Sequence, residues 1–280
     1  MKSRFFPKVL FLFGIFLLFF GCATTSFVEK TENPQVISLE NKKILEEKFS
    51  LALDKEISLK KDFKPSNNIY YMKFSGKDLI FHLVAIQITP NTMFSILPEN
   101  TTLEEFSNIN KATVAINGSP FKKEPFKNVG IAIENSLLLS PGISNYSALV
   151  INYENQPKIV QNQFDINLEN TKIALGGFYT IIKDGKHFGS FIDNKDSRTV
   201  IGISSQNNMM YFLVVEGEFF SKSKGLSYKE CGDLLLAINV ENALQMDGGG
   251  STSLYITNNN MLSYKTLRKS VINFAIIDEW

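Results

Sequence analysis

The chain has 280 residues, 44% of them hydrophobic, with 29 Lys and Arg against 28 Asp and Glu. That balance, without a long basic run, removes the electrostatic footprint that nucleic-acid binding needs. Two cysteines exclude a disulfide-stapled scaffold, and the length supports a substantial apolar core without staples.

In chain order, the first 22 residues read as a targeting segment. Lys2, Arg4 and Lys8 precede the apolar run Val9 to Phe20, broken only by Gly14. A run of about a dozen residues is short of the roughly 20 that span a bilayer and matches the apolar centre of a secretory signal. Phe19-Phe20-Gly21-Cys22 resembles the lipobox of bacterial lipoproteins, departing from it at Phe19 and Phe20. The expectation is lipidation of Cys22 and a place in the bacterial cell envelope, periplasmic or surface-exposed, held to the membrane by that lipid alone; ordinary cleavage and an uncleaved anchor are the alternatives. Residues 23–64 read as a tether and N-terminal extension, with a loosely periodic helix over 39–53. Residues 65–280 read as one domain.

From Asn68 onward short apolar runs alternate with turn residues, as strands do. Strands are expected at 69–74, 79–89, 113–117, 129–133, 148–153, 172–182, 199–204, 211–216, 243–246, 253–257 and 271–277, with Ser205 to Asn208 as a hairpin turn. Helices are few. One is expected over 101–109, capped by Thr101 or Thr102 with Glu104 and Glu105 in its first turn. A second starts at Ser227, whose spacing to Glu230 is that of a capping box; Leu234, Leu235 and Ile238 supply its apolar face and Asn239 its stop. This mixture, without regular βα alternation, predicts an α+β fold: a mixed, mostly antiparallel β-sheet with a few packed helices.

The stretch Asp247-Gly248-Gly249-Gly250-Ser251-Thr252 stands between two such strands. Three successive glycines point to positive φ or to an approach too close for Cβ atoms. Successive N–H groups beside the hydroxyls of Ser251 and Thr252 suit an anionic oxygen such as phosphate. A tight hairpin or a calcium loop remains open on this segment alone; a P-loop lacks its Lys. Arg198, at the start of an apolar strand, is either a surface residue or a fork for phosphate. Glu216 and Asn117 close apolar strands, and each is either solvated at a sheet edge or placed for chemistry. His82 and His187 lack metal-ligand spacing and read as structural, and Cys231 reads as a buried, inert thiol. No metal site and no cofactor is predicted, with a divalent cation left open.

Taken together, Asn117-Gly118-Ser-Pro-Phe121, Gly176-Gly177, Asp184-Gly185, Arg198-Thr-Val-Ile-Gly202, Glu216-Gly217, Gly225-Leu226-Ser227 and Asp247 to Thr252 resemble, in order and spacing, the phosphodiester glycosidase family. The resemblance covers roughly 75–280 and is most specific over 174–254. The chain departs from it at Pro120, at Glu216 where Asp is common, and at Ser227 where Thr stands. It implies a hydrolase that cleaves the bond between a sugar anomeric carbon and a phosphodiester, with a glycosyl phosphodiester or envelope polysaccharide as substrate. In that setting Asp247, Glu216 and Arg198 are the expected catalytic residues. Asn117, Gly118, Gly177, Ser227, Gly248, Gly249, Gly250, Ser251 and Thr252 are the expected substrate contacts. Arg198 and the loop N–H groups fall to the phosphate, and Asp247, then Glu216, to the anomeric centre. A non-catalytic lipoprotein binding glycans or glycolipids is the alternative.

Overall fold

The computed structural model describes residues 42–189, 194–205, 208–217, 222–257, 261–264 and 268–278. The targeting segment, Cys22, the tether and the tip of the expected hairpin at 205–208 lie outside them. All described residues fall within one unit, 34–280.

An eight-stranded sheet forms the middle layer. Its order is Ile57–Ser66, Ile69–Gly76, Leu79–Gln87, Met209–Val215, Arg198–Ser204, Asn242–Gln245, Thr180–Lys183 and Lys186–His187. Every neighbouring pair in it is antiparallel. Its central strand, Met209–Val215, is buried along its whole length, which is why its sequence is a continuous apolar run rather than an alternation. Met210, Phe212 and Val214 join a core with Ile116, Ile201, Leu244 and Phe274. Tyr211, Leu213 and Val215 join a second core on the opposite face with Phe49, Leu234 and Leu235.

The first core is closed by two five-stranded sheets, one containing Val114–Asn117, Leu254–Ile256 and Asn273–Ile277, the other Ala132–Glu134, Ala148–Ile151 and Ile173–Gly176. The second is covered by α1 (Lys42–Leu53), whose Leu45, Phe49 and Leu53 repeat every four residues, and by a helix at Tyr228–Leu236. Between them in sequence lies α2 (Leu103–Asn110), making the later helix α3. The expected capping box forms at α3, from Ser227 with Glu230, and at α2 the cap is Thr102, which forms a capping box with Glu105 as well. Helix α3 ends at Leu236, and Asn239, the expected stop, lies just beyond in the left-handed region at φ 61°.

The α+β class with mostly antiparallel sheets is what forms. Two local expectations change. The single run at 172–182 divides into Ile173–Gly176 and Thr180–Lys183, which belong to different sheets. The chain crosses at Gly177, where a Cβ would stand 2.6 Å from the Gln245 carbonyl oxygen, so only glycine permits the crossing. The Lys-rich stretch after α1 forms the edge strand Ile57–Ser66, kinked by two register shifts. Charged side chains along an edge keep it from pairing further, and they also hide its strand character in the sequence.

Candidate functional site

Three neighbouring strands of the large sheet reach the same end, and their flanking residues form a row across it. Met246 N–H donates to the Thr199 carbonyl at 3.0 Å, Gly249 N–H to the Ser197 carbonyl at 2.9 Å, and Glu216 N–H to the Ile80 carbonyl at 3.0 Å. Arg198 pairs with Val215. Glu216 and Asp247 are therefore separated at the backbone by one intervening strand, a distance of about 10 Å from the usual inter-strand spacing.

Asn117 ties the Asp247 loop to the sheets behind it. It is fully buried; its amide donates to the Asp247 carbonyl at 2.8 Å, and its oxygen accepts from the Thr199 hydroxyl at 2.7 Å and the Ser253 N–H at 3.1 Å. Gly118 completes the support, accepting from the Asp247 N–H at 3.3 Å. A Cβ on Gly118 would lie 2.8 Å from the Ile272 carbonyl oxygen.

Each glycine of the triplet has its own reason. Gly248 packs against the Ser197 carbonyl, 3.0 Å from where a Cβ would stand; Gly249 occupies φ +56°; and a Cβ on Gly250 would lie 2.4 Å from Nη1 of Arg268. The Arg268 guanidinium thus lies against the loop. Asp247 keeps part of its surface open while its carboxyl sits among protein atoms. Burial raises that carboxyl above the ordinary range, against hydrogen bonds from Ser251 and the Gly248 N–H and the charge of Arg268. The expectation that the loop N–H groups all face a phosphate is therefore corrected: Gly248 serves Asp247, and Gly249 serves the Ser197 carbonyl.

Arg198 does not converge with Glu216, because the two side chains leave opposite faces of the sheet. Glu216 continues the parity of Val214, in the core shared with Ile201. Arg198 takes the parity of Val200, on the α3 face. There its guanidinium stacks 4.0 Å from the Tyr228 ring centroid and donates to the Leu226 carbonyl (3.1 Å), the Tyr228 hydroxyl (3.0 Å) and the Asn194 carbonyl (2.8 Å). Its Nη1 lies 3.9 Å from where a Gly248 Cβ would stand, so the charge sits against the loop while buried among these partners. Ser227 is likewise committed, its hydroxyl accepting from the Glu230 N–H at 3.2 Å. The hydroxyls of Ser119, Ser197 and Thr252 are buried beside these segments without a hydrogen-bond partner among the described residues.

Four residues at this end, Lys73, His82, Tyr264 and Arg268, are not among the expected site residues, and from its sequence His82 reads as structural. Glu216 Oε1 accepts from Lys73 at 3.1 Å and lies 2.8 Å from His82 Nε2. The Tyr264 hydroxyl donates to the Gly217 carbonyl at 2.9 Å, and its ring lies 6.4 Å from that of His82. Tyr264 thus meets Gly217, next to Glu216, while Arg268 lies against the Asp247 loop. A histidine inside the apolar run of Leu79–Gln87 was the available clue to the first group, since a fully buried ring requires polar partners. Arg268 offered none, because its contact arises only through folding.

His187 and Cys231 take structural places. His187 pairs with Asp233 on α3 at 2.7 Å. Cys231 is fully buried and its thiol is pushed up to about 12 by that burial. Among the described residues no group of three His, Cys, Asp or Glu side chains converges as a metal site would. A cavity of about 770 Å³, lined by Asn152, Gln156, Lys158, Thr171, Ser205 and Asn208, opens at the other end of the same strands. It is about 20 Å from the carboxylates by strand length, and belongs to a different part of the molecule.

The phosphodiester glycosidase family model matches residues 110–277. Bovine N-acetylglucosamine-1-phosphodiester alpha-N-acetylglucosaminidase is 23% identical across 72% of this chain, which spans 43% of that relative's length. Among solved structures, the catalytic domain of the zebrafish enzyme of the same name, auto-inhibited by its pro-peptide, superposes with a TM-score of 0.62 at 17% identity, over 80% of this chain and 88% of that one. A hypothetical protein of Synechocystis superposes at 0.64 with 13% identity, over 77% and 63%. At such identities the solved structures establish the shared fold, while the family model covers both Asn117 and the Asp247 loop. On that match the chain belongs to the phosphodiester glycosidase family.

Proposed function

We propose that this chain hydrolyses the bond between a sugar anomeric carbon and a phosphodiester in an envelope or extracellular glycoconjugate. The observation that carries the reading is the pair Glu216 and Asp247 at one sheet end, bordered by Arg268 over a glycine loop. A departing phosphate monoester is a good leaving group, so neutralising its charge matters more than protonating it. Arg268 takes that task beside Gly250 of the loop, and Arg198 adds positive charge from its buried place beside Gly248. A well-placed donor of this kind is worth about 3 kcal/mol at the transition state. Asp247 is assigned to the oxocarbenium-like centre and Glu216 to the water that replaces phosphate, following the two-carboxylate logic of glycoside cleavage. Lipidation of Cys22 would hold the protein at the membrane of the bacterial envelope, close to glycosylated polymers.

The test is incubation of the full chain, in detergent, with a panel of glycosyl-1-phosphodiesters, following release of free sugar. Asp247→Asn lowers kcat by at least about a hundredfold with folding intact. A folded wild type that releases sugar from none of the panel refutes the reading. Glycan binding that survives Asp247→Asn without turnover would assign the chain to the non-catalytic class instead.

A further inference from the structure

His82 lies in Leu79–Gln87, is fully buried, and shares a sheet face with Lys73, Tyr71 and Glu216 on the flanking strands. Its Nε2 stands 2.8 Å from Glu216 Oε1 and its Nδ1 stands 2.9 Å from the Tyr71 hydroxyl. A carboxylate only accepts, so the ring proton belongs on Nε2. The neutral ring then offers Nδ1 as acceptor, and the Tyr71 hydroxyl donates to it. The two hydrogen bonds run in one direction, from hydroxyl to imidazole to carboxylate. The Tyr71 and His82 rings are also stacked, with centroids 5.9 Å apart and planes 23° from parallel, which removes the freedom of the imidazole to turn.

A buried polar chain of this kind is a poor source of stability, because desolvating a carboxylate and its partners costs as much as the contacts return. Apolar side chains of equal volume would fill the space between these strands as well. What the chain supplies is orientation: Glu216 follows the last residue of its strand, where its N–H bond to the Ile80 carbonyl fixes the backbone but not the side-chain torsions, and His82 holds its Oε1 from below. We infer that His82, kept in one tautomer by Tyr71, is a positioning residue for Glu216. It fixes the carboxylate at the sheet end beside the Asp247 loop without itself touching the substrate. This rests on the reading of Glu216 as one of the two working carboxylates.

The experiment is a double-mutant cycle on the full chain, with kcat and KM measured on whichever glycosyl phosphodiester the wild type turns over. His82→Leu lowers kcat by about a hundredfold, the cost of misplacing a reacting group by about 1 Å. KM changes by less than about threefold, because the residue does not touch substrate. Tyr71→Phe, which frees the tautomer, lowers kcat by about fivefold. His82→Gln, which keeps an N–H donor near the Nε2 position, restores kcat to within about tenfold of wild type. In a Glu216→Gln background, His82→Leu costs no more than about twofold, since its partner is already lost. A structural role would instead give the same factor in both backgrounds, and that result, or a folded His82→Leu with wild-type kcat, overturns the inference. Should His82→Leu fail to fold, His82→Gln and Tyr71→Phe are carried through the same cycle and decide it by the same criterion. A wild type without turnover on the panel fails the proposed reaction and takes this inference with it, whereas an active wild type with an insensitive cycle overturns the inference alone.

Discussion

Gly250→Ala separates the geometry of the loop from its stability. Gly250 is not in the left-handed region, unlike Gly249, so its backbone accepts a side chain. The new Cβ would stand 2.4 Å from Nη1, 2.5 Å from Cζ and 2.8 Å from Nη2 of Arg268. Contacts of about 3.5 Å are required, so the guanidinium must withdraw by about 1 Å. Arg268 is exposed and the clash falls on the far end of its long side chain, so little folding free energy is involved. A gain of about 0.4 to 1 kcal/mol from stiffening the unfolded chain offsets what is lost. Stability should therefore stay within about 0.5 kcal/mol of wild type. If Arg268 meets the phosphate, the same displacement removes up to about 3 kcal/mol of transition-state stabilisation, roughly a hundredfold in kcat/KM. Arg268→Ala should match it, and the double variant should be no worse than Arg268→Ala alone. Gly249→Ala is the contrast: at φ +56° it costs about 1 kcal/mol or more of stability. Thermal unfolding and kcat/KM on a glycosyl phosphodiester are the assays. Full activity in Gly250→Ala, or a loss that tracks a fall in Tm, refutes the assignment of Arg268.

Two further outcomes follow from buried groups. Burial raises the Asp247 carboxyl above its ordinary 3.8, so the folded state holds this proton more tightly than the unfolded one; the stability it supplies is complete below that value and is lost as pH rises through the folded value. Asp247→Asn should accordingly gain in Tm relative to wild type as pH is raised across the carboxylate range, and a difference that is flat with pH would contradict the burial of this carboxyl. Asn117→Ala leaves the Asp247 carbonyl, the Thr199 hydroxyl and the Ser253 N–H without their partner, at a cost of about 3 kcal/mol; a urea-unfolding change below about 1 kcal/mol would show that these bonds are not what joins the sheets.

Local chemistry was readable along the chain. Capping boxes at Thr102 and Ser227, the buried strands and the glycine triplet involve neighbours within a few residues, so their spacing states their geometry. The order of motifs from Asn117 to Thr252 was likewise enough to indicate the family. The facing of side chains was not readable. Arg198 and Glu216 both flank apolar strands, and nothing in either segment says that one side chain leaves the sheet toward α3 and the other toward Lys73 and His82. That depends on the parity of each strand about the sheet, which is set by which apolar face meets which layer. The break at Gly177 and the strand character of Ile57–Ser66 were hidden for a similar reason, since both depend on the sheet in which the segment lies. Sequence alone determined the α+β class, the elements and the carboxylates to consider, because helix caps, strand runs and glycine loops are local. Only the tertiary structure decided that Arg268 lies against Gly250 of the loop and that His82 meets Glu216, because the first contact joins residues separated by intervening strands and the second joins residues well over a hundred positions apart.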